Sequence, residues 1–163
     1  RKTLYAVPMS GNALYAYDLA ARGKALRGQR LGPLVTGAKS TDCRALCVGP
    51  TGTVWAAVTV PTLADAQHQI QSLHLVRYRP GADAAPIDLG TVHVSNPDYT
   101  AFKDAAGKPL SAHGGFVTLD DGRLVSIYVN LGICEGRDGS VYSLSLQPYT
   151  LIKVPAETVN AAR

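Results

Sequence analysis

Cys47-Val48-Gly49-Pro50-Thr51-Gly52-Thr53-Val54-Trp55-Ala56 is the stretch on which the fold turns, because its pattern occurs twice more. The second copy is Phe116-Val117-Thr118-Leu119-Asp120-Asp121-Gly122-Arg123-Leu124-Val125, and the third is Cys134-Glu135-Gly136-Arg137-Asp138-Gly139-Ser140-Val141-Tyr142-Ser143. In each, a turn ending in glycine passes through one polar residue into an apolar or aromatic run. Glycine supplies the positive φ that a tight turn demands, and the run behind it has strand character. Repeated antiparallel hairpins predict an all-β repeat fold.

A second hairpin phrase alternates with the first. Leu14-Tyr15-Ala16-Tyr17 leads through a basic turn at Arg22-Gly23-Lys24 to Gln29-Arg30-Leu31-Gly32. Leu73-His74-Leu75-Val76-Arg77-Tyr78 leads through Pro80-Gly81-Ala82-Asp83 to Pro86-Ile87-Asp88-Leu89-Gly90. The inner type of hairpin centres on Gly52 and Gly139, 87 positions apart. Two repeats of about 43 residues fill that gap, the length of a four-stranded propeller blade. The outer type centres near Gly23, Gly81 and Gly122, with gaps of 58 and 41. The longer gap predicts an insertion around 61–72, where residues 62–72 are the best helical candidate. The missing inner hairpin falls in the enlarged stretch from Asn96 to Lys108.

On these glycine-punctuated hairpins the chain resembles the β-propeller superfamily, in the generic bacterial type whose turns read Asp-Gly-x-[Leu/Val/Tyr], as at Asp121-Gly122-Arg123-Leu124 and Asp138-Gly139-Ser140-Val141. The resemblance implies an all-β domain over 1–154, a propeller or partial propeller of about three to four four-stranded antiparallel blades. Propellers close with about four to eight blades. The expectation is therefore a segment of a longer propeller, with missing blades on the same parent chain, or a ring that a partner chain completes. Residues 155–163 read as a C-terminal surface tail. The resemblance also favours a periplasmic or extracellular setting.

Composition agrees with a folded chain: 163 residues, 46% hydrophobic and 17% charged. No run of 18 apolar residues is present, so no membrane-spanning helix is expected. The start at Arg1-Lys2-Thr3-Leu4 has neither an initiator methionine nor a signal-peptide pattern, which reads as a mature or trimmed product. The net charge of +4 is scattered, with Arg22, Lys24, Arg27 and Arg30 as the nearest approach to a patch. That pattern argues against nucleic acid and permits an anionic glycan. The three cysteines show no zinc or redox spacing. Cys47 and Cys134 hold equivalent repeat positions and are expected in equivalent surroundings. Cys43 and Cys47, on one extended strand, stand about 13 Å apart, too far for a disulfide.

Candidate ligand-binding residues gather where loops would line one rim of the ring: Asp42 and Arg44 before the first inner hairpin, His93 beside the degenerate one, Asp98, Tyr99 and Lys103 within it, and His113 before Gly114-Gly115. His113 with Tyr99 and Arg44 forms the catalytic candidate. A histidine, a tyrosine and an arginine can abstract a proton beside a sugar carboxylate and stabilise the enolate, and propeller-fold polysaccharide lyases are similar in this respect. His74 and Arg77 are expected on a solvated blade surface. His68, His74, His93 and His113 lack metal-ligand spacing, and no cofactor motif occurs. The leading expectation is a non-catalytic extracytoplasmic module that binds a protein partner or carbohydrate. The alternatives are a carbohydrate-active lyase and a subunit of a larger assembly.

Overall fold

The computed structural model describes residues 2–20, 26–63, 69–92, 106, 116–118, 124–126, 129–146 and 149–161. The strands are β1 (Thr3–Ala6), β2 (Leu14–Asp18), β3 (Gln29–Gly32), β4 (Asp42–Val48), β5 (Val54–Leu63), β6 (Gln69–Tyr78), β7 (Ile87–Thr91), β8 (Phe116–Thr118), β9 (Leu124–Ser126), β10 (Asn130–Glu135), β11 (Val141–Leu146) and β12 (Tyr149–Val154), followed by helix α1 (Ala156–Ala161). They form antiparallel meanders in chain order: a first sheet β1-β2-β3, a central sheet β4-β5-β6-β7, a hairpin β8-β9 and a last sheet β10-β11-β12. The all-β expectation holds. Among the described residues no strand pairing closes the sheets into a ring or barrel, and no helix is long and apolar enough to cross a membrane.

Two copies of the opening phrase fold alike. In the β4–β5 turn the Gly49 amide donates to Thr53 O at 2.8 Å and the Gly52 amide to Gly49 O at 3.0 Å. In the β10–β11 turn Gly136 donates to Ser140 O at 2.8 Å and Gly139 to Gly136 O at 3.0 Å. Gly52 and Gly139 have φ of 83° and 79°, the left-handed region in which a side chain is strained. The third phrase spans β8 and β9, paired from Phe116↔Ser126 to Thr118↔Leu124.

β5 lies at the centre of the molecule, and its apolar run is continuous because both faces are covered. Val54, Ala56 and Val58 point towards the first sheet and pack with Leu14, Leu34 and Val76. Trp55 and Ala57 point the other way, Trp55 with Val141 and Val159 and Ala57 with Ile152. Strand alternation thus aims one strand at two neighbouring sheets. Asn12 fastens the first sheet: its Oδ1 accepts from the Leu34 and Val35 amides at 3.0 and 2.9 Å, and its Nδ2 donates to Val35 O and Ala38 O at 2.7 and 3.0 Å. All four polar positions of one side chain are thereby used.

Two local expectations are corrected. The helical candidate 62–72, within the expected insertion around 61–72, is strand where it is described: β5 and β6 pair continuously from Val54↔Tyr78 to Leu63↔Gln69. Local helix propensity yields there to a ladder already established by the buried half of the hairpin; residues 64–68 lie outside the described residues. The surface tail is instead anchored. Pro155 leads into α1, the Val159 amide donates to Pro155 O at 3.0 Å, and Val159 is buried against Trp55, Leu75 and Val141. Glu157 in the first turn complements the helix dipole.

Candidate functional site

Of the residues expected at a rim, Asp42 and Arg44 are described. They sit on β4 where the ladder to β5 shifts register between Cys43 and Ala45. The irregularity brings Arg44 back onto its neighbour: Nε donates to both Asp42 oxygens at 2.9 and 3.0 Å, and the guanidinium closes a second contact at 2.9 Å. The pair is exposed and satisfies itself. His93, Asp98, Tyr99, Lys103 and His113 lie outside the described residues, as does His68.

A different constellation stands on the central sheet. Ser72 and His74 are two apart on β6 and so share a face. Asp88 reaches them from β7 because that ladder changes register, pairing Val76 with Asp88 but His74 with Thr91. Gly90, at φ 97°, carries the irregularity, and its amide donates to Asp88 Oδ1 at 2.9 Å. His74 Nδ1 lies 2.9 Å from Asp88 Oδ2, and His74 Nε2 lies 3.1 Å from Ser72 Oγ. Thr62 Oγ1, on the neighbouring β5, is 3.1 Å from the same Ser72 oxygen.

The proton inventory of this relay follows from its partners. A carboxylate can only accept, so Nδ1 carries the hydrogen. In the neutral imidazole Nε2 is then a bare acceptor, and the single Ser72 hydroxyl hydrogen has two acceptors in reach, Nε2 at 3.1 Å and Val60 O at 3.4 Å, of which Nε2 is the nearer. Burial works to raise the Asp88 carboxyl, but the His74 and Gly90 hydrogen bonds and the nearby imidazole together hold it below its ordinary value. The side chains of His74 and Asp88 are 16% and 24% exposed, and Ser72 is half-buried. The expectation of a solvated His74 is therefore corrected, and so is that for Arg77, which is buried with its Nε 3.9 Å from Asp83. A Ser-x-His pair on one strand was readable in the sequence. The third member was not, because Asp88 arrives through a register shift.

Among the described residues, polar contacts to Glu135 join the central and last sheets inside an apolar seam. Trp55 Nε1 donates to Glu135 Oε2 at 3.0 Å, with Thr51 Oγ1 at 3.4 Å from the same oxygen. Glu135, at the end of β10, thus serves the neighbouring sheet. Further along the seam a cavity of about 470 Å³ opens between β7, β12 and α1, lined by Leu75, Leu89, Val92, Val154 and Val159, with Lys153 also on its lining.

Among the described residues, the last sheet is covered on one face only. Superposing the repeat, Gly52 on Gly139, sets Trp55 on Tyr142 and Ala57 on Leu144; the ladders then set Leu75 on Leu151. Leu75 is 5% exposed and Leu151 65%. Leu146 beside it on β11 is also exposed, and Leu144 is half-buried. Cys47 and Cys134 differ for the same reason: the first is partly buried in the seam and the second is exposed. Equivalence of sequence does not give equivalence of surroundings where no described sheet covers the same face. No protein-family model, curated protein or solved structure matches the chain.

Proposed function

We propose that the chain is an arc of a β-propeller that serves as a binding module, and that its principal partner is another antiparallel β-sheet seated on the outer face of β10–β12. The contrast between Leu75 and Leu151 carries this reading. In the central sheet that repeat position is buried by the next sheet, and in the last sheet it stands in solvent with Leu146 and Leu144 alongside. Three further features support it. The described sheets are antiparallel meanders, the central one is buried between the first and the last, and the opening strands β4 and β10 pack against one another, as the inner strands of adjacent blades do, although the hairpin β8–β9 lies between them in the chain. A contiguous apolar face favours a protein partner over a carbohydrate. For this chain the covering sheet is that of a second copy.

Sedimentation velocity across a concentration range tests the reading. The chain should associate beyond its 17.2 kDa monomer, and Leu151→Lys should abolish association while leaving the melting temperature unchanged. A wild-type chain that stays monomeric at high concentration overturns it. The lyase reading depends on His113 and Tyr99, and no described feature adds to it.

A further inference from the structure

We propose that Ser72 is an acyl-accepting nucleophile, activated by His74 and positioned through Asp88, and that this face of the central sheet hydrolyses carboxylic esters. The inference is independent of the partner surface, because Ser72 and His74 lie on the face turned towards the first sheet, opposite Trp55.

The connectivity is the one nucleophilic catalysis requires: hydroxyl to imidazole Nε2 at 3.1 Å, Nδ1–H to carboxylate at 2.9 Å, and the carboxylate itself held by the Gly90 amide at 2.9 Å. The tautomer is fixed in the sense that leaves Nε2 ready to take a proton. A relay that served only to tie β6 to β7 would need His74 and Asp88 alone. The Ser72 oxygen extends it to the partly open end of the hairpin, where Thr62 is exposed.

In the first step Ser72 Oγ bonds to the ester carbonyl carbon as its proton passes to His74 Nε2. The carbon–alkoxide bond then breaks, and that proton goes to the departing alcohol. In the second step water gives a proton to Nε2 and its oxygen bonds to the acyl carbon. The Ser72–acyl bond breaks, the proton returns to Ser72 Oγ, and the acid leaves. No oxidation state changes, and water is the only co-reactant. Thr62 Oγ1, 3.1 Å from Ser72 Oγ, donates to Val60 O at 3.2 Å; turned from that carbonyl towards the ester, the same hydroxyl would donate to the oxygen that becomes negative. Asp88 is a positioning residue, and Ser72 and His74 are catalytic residues.

The test treats the 163-residue chain with an alkyl fluorophosphonate and, separately, with p-nitrophenyl acetate, followed by peptide mass spectrometry. The expected result is one phosphonate per chain, on Ser72, and a p-nitrophenol burst of the same stoichiometry. Ser72→Ala should remove both. His74→Ala should lower the acylation rate by about 10²- to 10⁴-fold. Asp88→Asn should slow acylation while the label still falls on Ser72, and Asp88→Glu should recover part of the lost rate. Absence of label on Ser72 in the folded wild-type chain overturns the proposal without recourse to any variant. Label at another residue that survives Ser72→Ala overturns it equally.

Discussion

Gly49 and Glu135 belong to different sheets, yet the structure makes their substitution effects inseparable. Gly49 has no positive φ, so its backbone would accept alanine. A Cβ there would meet Glu135 instead, colliding with Oε2 and reaching 2.8 Å from Cδ and 3.0 Å from Cβ. Gly49→Ala must therefore expel the Glu135 side chain and break its bond from Trp55 Nε1. Trp55 is 3% exposed, so its N–H loses a charged acceptor where water does not readily replace it. A hydrogen bond to a charged group contributes about 1.5–3 kcal/mol, and a stranded buried donor costs about 1–3 kcal/mol. Partial exposure of the glutamate argues for the lower end, about 2 kcal/mol. Glu135→Ala should cost a similar amount. In that background the collision is gone, and Gly49→Ala should be neutral or stabilise by about 0.4–1 kcal/mol through the unfolded chain. Urea titrations of the four proteins, checked for constant m, give the coupling energy directly. A coupling near 2 kcal/mol is expected. Equal cost of Gly49→Ala in both backgrounds would refute the reasoning, because the two residues would then not compete for one volume.

Three further outcomes are expected. Gly52→Ala meets no atom within 4 Å, so its cost is the left-handed backbone alone, about 1–2 kcal/mol, measurable as a lowered urea midpoint. The Asp83 carboxyl is held below its ordinary value chiefly by the Arg79 side-chain hydrogen bond, against the opposing effect of burial. Its contribution to stability is therefore complete above the ordinary carboxylate range and lost as pH falls through the lower folded value; midpoints measured below pH about 4 should drop in the wild type, and Asp83→Asn should flatten that part of the curve. Burial pushes the Cys43 thiol up to about 11, and Cys134 is exposed, so a chromogenic disulfide at pH 8 should titrate Cys134 first and Cys43 only on unfolding, whereas three equal rates would contradict the buried assignment.

The hairpins were legible in the sequence because glycine at a positive-φ turn is a chemical necessity that leaves a visible spacing, as at Gly52 and Gly139. The buried centre left a weaker trace: Val54-Trp55-Ala56-Ala57-Val58 is apolar without alternation, the pattern of a strand covered on both faces, but it is read above only as the strand behind a turn. Residues 62–72 misled because a polar hairpin end carries no periodicity of its own and takes its form from the ladder behind it. The tail misled because one buried valine in six helical residues leaves almost no pattern. At the site, Ser72 and His74 show their relation in their spacing. Asp88 joins them only after β7 shifts register at Gly90, an event set by strand pairing and invisible in any local window. Cys134 shows the limit of repeat logic: its position was predicted from Cys47, but it is exposed where Cys47 is partly buried, because no described sheet covers that face of β10.

A high-resolution structure of the assembled particle, read at Leu151, tests the central claim most directly. The account predicts an antiparallel sheet stacked about 10 Å from β10–β12, with Leu151 as deeply covered as Leu75. Leu151 and Leu146 facing open solvent in that particle would contradict it.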